Sequence, residues 1–483
     1  MDFRPPSHHK SLEVFSEHWA AIGDQLGEQL AGHAQPQEVL GRSAEVFGRR
    51  AGNRFAIHPM EGWDGTAEGG PSEWTLRRWE NFGASGADLI WGGEAFAVHP
   101  DGRANPNQLF LREGDASLDD LRQLLAALKR GRERAGLDPD GLITGLQLTH
   151  SGRFCRPRAA LEPRVPQRHP VLDERFGVED DALLSDAELV DLRERYLRAA
   201  ELASEAGFDF VDVKACHGYL MHELLSARHR PGPYGGELES RWRLLEEILT
   251  GVRERCPQLG LGVRLSAADT FPHAKGPDGL GAPVGIDEHR PYTHAFGVDA
   301  DQPLQFDLEE PRRLIAHLVE LGVAALNVTV GSPYYCPHLQ RPAAYPPSDG
   351  YKPHEDPLLN VGRHIALTRA LKASFPELPV VGSGYSYLQE WLPHVGAFEV
   401  AEGHVDYVGL GRMVLSYPDL PLDVLRGAEL QRKRICRTFS DCTTAPRKGK
   451  ISGCYPLDPT YRALPEAKEI AAIRRATAQG AGQ

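Results

Sequence analysis

The segment Val211-Asp-Val-Lys214-Ala-Cys-His217-Gly-Tyr219 brings an amine, an imidazole and a phenol into one short stretch. An amine in an apolar setting attacks carbonyl carbons, and all three groups can hold an oxygen or deliver a proton. In an extended strand residues i and i+2 share a face, and the strand end lets i+3 turn back toward the same pocket. Further polar blocks are Gln147-Leu-Thr-His150-Ser-Gly-Arg153 and Gly262-Val-Arg264-Leu-Ser. Two glycine turns, Val381-Gly382-Ser383-Gly384 and Gly409-Leu-Gly411-Arg412, can expose backbone N–H groups to an anion, with a helix N-terminus and Arg412 adding positive charge. Asn53-Arg-Phe-Ala-Ile-His-Pro59-Met60-Glu61 reads as a strand ending at a proline turn. Taken singly, each has an ordinary explanation: an interior ion pair for Arg264, an aromatic under a loop for Tyr219, two strand-to-helix turns. Their order, each at a strand end, carries the signal.

Short β-branched or apolar runs alternate with amphipathic ones, the pattern of βαβ units. The expected strands are Arg54–His58, Asp88–Trp91, Leu142–Thr149, Phe210–Lys214, Leu261–Ser266, Ala324–Val330, Pro379–Gly382 and Val405–Leu410. Between them fall helices at Leu118–Ala135, Asp186–Ala206, Ser240–Cys256, Glu309–Leu321 and Val361–Phe375. Eight strands, each followed by a helix or helical turn, predict an α/β fold, a (β/α)8 TIM barrel. A doubly wound sheet would show G-x-G-x-x-G after its first strand, and none stands there. Long connections at Ser151–Leu183, Ala267–Phe306 and Gly331–Leu358 all follow strands, so they belong to the face where barrel sites are built. The expected organisation is an N-terminal arm over 1–45 with a helix at Glu17–Ala31, a barrel over 46–425, and a C-terminal extension over 426–483.

Composition is that of a globular protein: 483 residues, 41% hydrophobic, 25% charged, with 50 Gly and 37 Pro suited to a loop-rich fold. The net charge of −13 argues against nucleic acid or an anionic membrane as main partner. No apolar stretch approaches the length of a membrane span, and the N-terminus lacks the pattern of a secretory signal. Seven cysteines make a disulfide framework unexpected. A cytoplasmic location is the resulting expectation. No metal site is expected either, since His150, His217 and His222 form no compact ligand motif.

In their order, these blocks resemble the old yellow enzyme family of NADH:flavin oxidoreductases, in its branch with 2,4-dienoyl-CoA reductase and trimethylamine dehydrogenase. The resemblance covers about residues 45–460 and includes Tyr234-Gly-Gly-Glu-Leu-Glu-Ser-Arg241, similar to the family's Y-G-G-S-x-x-N-R stretch. It implies bound FMN, with NAD(P)H as electron donor. Gln147 would meet N3 and O2 of the flavin through its amide, and Arg264 would neutralise charge growing at N1/O2 on reduction. Gly382, Ser383, Gly384, Gly411 and Arg412 would cradle the phosphate. Pro59, Met60, Glu61 and Ala95 would line the ring. Lys214 and His217 stand where the family holds a substrate carbonyl oxygen, and Tyr219 where it keeps a proton donor. The implied reaction is reduction of an activated, polarised C=C bond of a small, acidic or carbonyl-bearing substrate. Whether the protein forms a homo-oligomer stays open.

The sequence departs from the family at two positions near the ring. Lys214 replaces a His, and Glu61 stands where many relatives carry Cys or Thr. A carboxylate there opposes electron gain unless it is protonated or paired with a cation such as His58 or Lys214. In the extension, Cys436, Cys442 and Cys454 match three of the four ligands of the branch's iron–sulfur motif, and Phe439 takes the place of the remaining one. Four thiolates normally hold such a cluster, so none is expected. Two rival readings stand beside ene reduction: a flavin-dependent amine dehydrogenase or demethylase, and a Schiff-base lyase using Lys214.

Overall fold

The computed structural model describes residues 3–479. Eight parallel strands form the barrel: β1 (Phe55–Ile57), β2 (Leu89–Ile90), β3 (Ile143–Thr149), β4 (Phe210–Ala215), β5 (Gly260–Ser266), β6 (Ala325–Thr329), β7 (Val380–Gly382) and β8 (Tyr407–Leu410). Each pairs with its sequence neighbour, and β8 pairs back onto β1, which closes the ring. Nearly every strand residue is buried, because one face meets the barrel interior and the other the surrounding helices. A short strand not expected from sequence, Ala95–Ala97, adds onto β3 with Ala95 opposite Gln147.

The outer helices follow the strands in turn: α1 (Glu73–Gly83), α2 (Ala116–Arg134), α3 (Asp186–Ala206), α4 (Leu238–Arg255), α5 (Glu309–Glu320), α6 (Pro357–Ser374) and α7 (Leu392–Ala401). Two short helices, Met413–Ser416 and Leu420–Leu425, follow β8. The start and stop of α3 are written locally. Ser185 and Glu188 form a capping box, and Gly207 ends the helix at φ +102°. In the arm the helix is Leu12–Leu26, about one turn earlier than the sequence pattern suggests. Ser11 caps its start and Gly27, at φ +68°, stops it. Phe15 of this helix stacks on Trp391 at 5.3 Å.

A hairpin of Ala44–Val46 with Arg49–Ala51 plugs the N-terminal end of the barrel. At its turn Phe47 stacks on Phe210 at 3.9 Å, and both lie against Trp91. Above this apolar floor the barrel interior turns polar, with Gln147, Asp212, Arg264 and Asn327 on four successive strands. The indole Nε1 of Trp91 donates to Asp212 Oδ2 at 2.8 Å, joining the floor to that layer. Chemistry is thereby confined to the C-terminal end of the barrel.

Candidate active site

A cavity of about 270 Å³ opens at that end. It gathers Pro59, Met60, Glu61, Gln147, Lys214, His217, Tyr219, Arg264, Ser383, Gly384, Gly411 and Arg412, drawn from six strand ends. Of the residues singled out in the sequence, Gly382 and Ala95 lie outside its lining. Gly382 faces the Tyr385 ring, while the backbone oxygen of Ala95 accepts from Gln108 at 2.7 Å. Tyr234 and Arg241 also lie away from the cavity. Buried Arg241 pairs with Glu310, which ties α4 to α5.

The base of the site is held by Asp212. Its Oδ2 accepts from Gln147 Nε2 at 2.6 Å, and its Oδ1 from the backbone N–H of Arg264 at 2.6 Å. The Gln147 amide is therefore fixed with its carbonyl and one N–H still available. Burial pushes the Asp212 carboxyl up, while its bonds from Gln147 and Trp91 and the charge of Arg264 oppose that. Arg264 itself donates to the Pro59 carbonyl at 3.3 Å, and its buried Nε has no partner in the protein.

His58 is not the cation that Glu61 needs. Its Nδ1 accepts from Asn327 at 3.0 Å, which leaves the proton on Nε2 to meet Ser383 Oγ at 3.2 Å. Burial and the charge of Arg264 hold its pKa well below the usual value, so the ring is neutral. Lys214 is the counter-charge instead: burial raises the Glu61 carboxyl, and Lys214 and the Tyr219 hydroxyl draw it back.

Tyr219 caps the short helix Leu220–Leu225, which follows a turn with His217 at φ +67° and Gly218 at φ +75°. That turn swings both side chains over the barrel end. The Tyr219 hydroxyl donates to Glu61 and lies 2.9 Å from the Tyr334 hydroxyl. The Lys214 ammonium sits 3.6 Å from the Tyr219 ring centre. His217 Nε2 accepts from the Gln340 amide at 3.0 Å, and its pKa is held well below the usual value by burial and by Arg264 and Lys214.

The other end of the cavity is basic. Arg341, Arg412 and Arg447 face it, and Glu61 is the only acid among its described lining residues. Arg412 donates through Nη2 to the Pro342 carbonyl at 2.8 Å, whereas its buried Nη1 has no partner. Burial and Arg341 lower its pKa to about 10. A buried guanidinium without a counter-ion is costly, and the space beside it suits an anion. Gly384 adopts φ +95° there, and a Cβ on Gly411 would project into open space.

Several lining residues escaped the sequence reading because they arrive on connections without a readable code. Tyr334, Gln340 and Arg341 come from the connection after β6. The connection after β3 supports it through Phe154, stacked on Tyr334 at 3.8 Å. Cys442, Thr443, Pro446, Arg447 and Ser452 come from the C-terminal extension, which folds across the cavity. In that extension burial raises the thiol pKa of Cys436 and of Cys454, with nearby Cys442 adding to the rise at both and Cys436 adding to it at Cys454. The Phe439 ring faces Tyr345 at 5.3 Å and the Arg474 guanidinium at 4.6 Å. Among the described residues no helix is long and apolar enough to cross a membrane.

Comparison with known proteins agrees with this architecture. Residues 51–278 match the family described as NADH:flavin oxidoreductase / NADH oxidase. An NADPH dehydrogenase of Bacillus velezensis is 34% identical over 180 residues, covering 36% of this chain and 48% of the relative. Another, from Geobacillus thermodenitrificans, is 28% identical over 259 residues, covering 51% of this chain and 67% of the relative. The chain thus matches about half the length of the first and two thirds of the second. Among solved structures, a 2-naphthoyl-CoA reductase complex superposes with a TM-score of 0.64 at 19% identity, over 90% of this chain and 58% of that one. An old yellow enzyme homologue from Zymomonas mobilis gives 0.54 at 21% identity, over 81% of this chain and 94% of that one. Both likenesses concern the fold. Residues 51–278 thus match the NADH:flavin oxidoreductase / NADH oxidase family, the same family that the sequence blocks of the barrel resemble.

Proposed function

We propose that the chain binds FMN in this cavity and uses NAD(P)H to reduce a polarised C=C bond of a small anionic or carbonyl-bearing substrate. The observation that carries the reading is one cavity with two chemically distinct ends. Gln147 and Arg264 line one, and Arg412 with the Ser383–Gly384 turn lines the other. A flat ring with a polar edge joined to a phosphate needs both.

The bound cofactor would supply hydride transfer. Gln147, oriented by Asp212, would present its carbonyl to an N–H and its remaining N–H to an oxygen. Arg264 would offset negative charge at the same edge. Arg412 and the backbone N–H groups of Ser383 and Gly384 would hold the phosphate, with Gly411 leaving the space beside them clear. Pro59, Met60 and Glu61 would shape the wall nearest the reacting atoms.

Lys214 and neutral His217 would hold the substrate oxygen, an electrostatic pull that withdraws electrons from the acceptor carbon. A lysine is a more permanent cation than a histidine, which favours a carboxylate or a strongly polarised carbonyl. Tyr219 would donate its phenolic proton to the second carbon. Its pKa lies well above the ordinary tyrosine value through burial and the Glu61 charge, so it enters the reaction protonated.

The test is steady-state oxidation of NADPH and of NADH by FMN-loaded protein, with and without an α,β-unsaturated ketone or carboxylic acid under anaerobic conditions. Alkene-dependent oxidation with formation of the saturated product supports the reading. Oxidation that no activated alkene accelerates overturns it.

A further inference from the structure

Three histidines converge on two of the long connections, beside the cavity rather than in it. His273 begins the hairpin of His273–Lys275 with Gly281–Pro283 after β5, while His338 and His354 belong to the connection after β6. One nitrogen from each ring lies within 4.8 Å of the other two. The ring centres are 4.6, 4.7 and 5.5 Å apart. Bonds of about 2.0–2.1 Å in a tetrahedral zinc site hold nitrogens roughly 3.3–3.4 Å apart, so small ring rotations complete the geometry.

The surroundings are those of ligands rather than of packed aromatics alone. His273 donates from Nδ1 to the Phe271 carbonyl at 2.7 Å, which fixes the tautomer with a free lone pair on Nε2. His338 Nδ1 meets the Tyr351 hydroxyl at 2.6 Å, again leaving Nε2 available. The buried Nδ1 of His354 has no partner. The nearest carboxylate, Glu355, lies 3.9 Å from His354 Nε2 and is engaged by Arg363 and Asn360. Burial lowers the pKa of all three rings, to about 4 at His273, and keeps them in the neutral form that metals need.

From this convergence of three imidazoles we propose that His273, His338 and His354 bind one zinc ion, with water as the fourth ligand. Three neutral nitrogen donors suit zinc and copper far better than magnesium or calcium. The ion would pin the hairpin after β5 to the connection that carries Tyr334, Gln340 and Arg341 to the cavity. Its role is therefore a brace for one cavity wall, independent of the flavin chemistry.

The experiment is calorimetric titration of chelator-treated holoprotein with zinc chloride, repeated for His338→Ala, for the milder and less buried His354→Gln, and for a His9→Ala control on the arm. Circular dichroism and flavin content verify that each variant is folded. One zinc per chain is expected for wild type and control. Both ligand variants should bind at least about 100-fold more weakly, since losing even an outer partner of a ligand costs about 10–100-fold. No uptake by the wild type, or equal affinity in the folded ligand variants, overturns the proposal.

Discussion

The Lys214 ammonium lies 3.6 Å from the centre of the Tyr219 ring, on the ring whose hydroxyl is bound to Glu61. A cation over the face and an anion at the rim give this phenol a surrounding that a His at 214 or a Cys at 61 would not create. Burial and Glu61 raise the Tyr219 pKa, while the same burial lowers that of Lys214 and Glu61 raises it again. The three side chains form one coupled group, which single substitutions take apart.

Tyr219→Phe removes the proposed proton donor and leaves the ring under Lys214. Reoxidation of reduced enzyme by an activated alkene should slow by about 10²–10⁴-fold, the usual worth of a positioned general acid. Flavin reduction by NAD(P)H should stay nearly unchanged. Stopped-flow measurement of both half-reactions checks this, and wild-type alkene reduction in the variant would assign the proton to another source.

Glu61→Gln tests the carboxylate as a brake on electron gain. At an effective dielectric near 20, a unit charge about 4–8 Å away contributes about 2–4 kcal/mol, or roughly 40–90 mV for a two-electron couple. The variant should therefore have the higher potential at neutral and alkaline pH. Because burial raises the Glu61 pKa, the carboxyl becomes neutral as pH falls, and the two potentials should converge there. Potentiometric titration with indicator dyes across pH reads both features.

Arg412→Ala removes a buried guanidinium with an unpartnered Nη1. Hydrogen bonds to charged groups contribute about 1.5–3 kcal/mol, so FMN affinity should fall about 10–100-fold. Riboflavin, which lacks the phosphate, should bind wild type and variant alike. Flavin fluorescence quenching measures both ligands.

Three buried histidines outside the proposed chemistry set an acid limit on stability. His150 is held at about 3, and His222 and His364 at about 4, by burial. Folding keeps them neutral, so their contribution is complete above the unfolded value near 6.5 and is lost as pH falls toward 4. Each removes up to about 1.4 kcal/mol per pH unit in that window. Asp269 and Glu94 act oppositely. Burial holds both at about 6, so they favour the fold below their unfolded values and lose that contribution as pH rises through 6. Asp441, held at about 6, joins them, and His294, held at about 4, joins the histidines. The histidines held low still outnumber the carboxyls held high, so stability should drop between pH 6 and 4, as urea unfolding at several pH values would register.

The barrel was legible because its strands are apolar runs broken by helices with written caps, as at Ser185 and Gly207. The strand-end chemistry was legible because Lys214, Tyr219, Gln147 and Arg264 interrupt those runs with groups a core does not need. Asp212 carried the same signal, a charge inside the apolar run Val211–Val213, yet its role as anchor for Gln147 depends on strand pairing. Tyr334, Arg341 and Arg447 were not readable, since their positions follow from how long connections and the extension fold across the barrel. The histidine cluster has the same origin: His273 and His338 are far apart in sequence and meet only because two connections pack together.

The most direct test of the central claim is the visible spectrum of the purified protein, with identification of the flavin released on denaturation. The account predicts one noncovalently bound FMN per chain, retained by wild type and depleted in Arg412→Ala. A colourless protein that takes up no FMN on titration, or one that carries FAD instead, would contradict it.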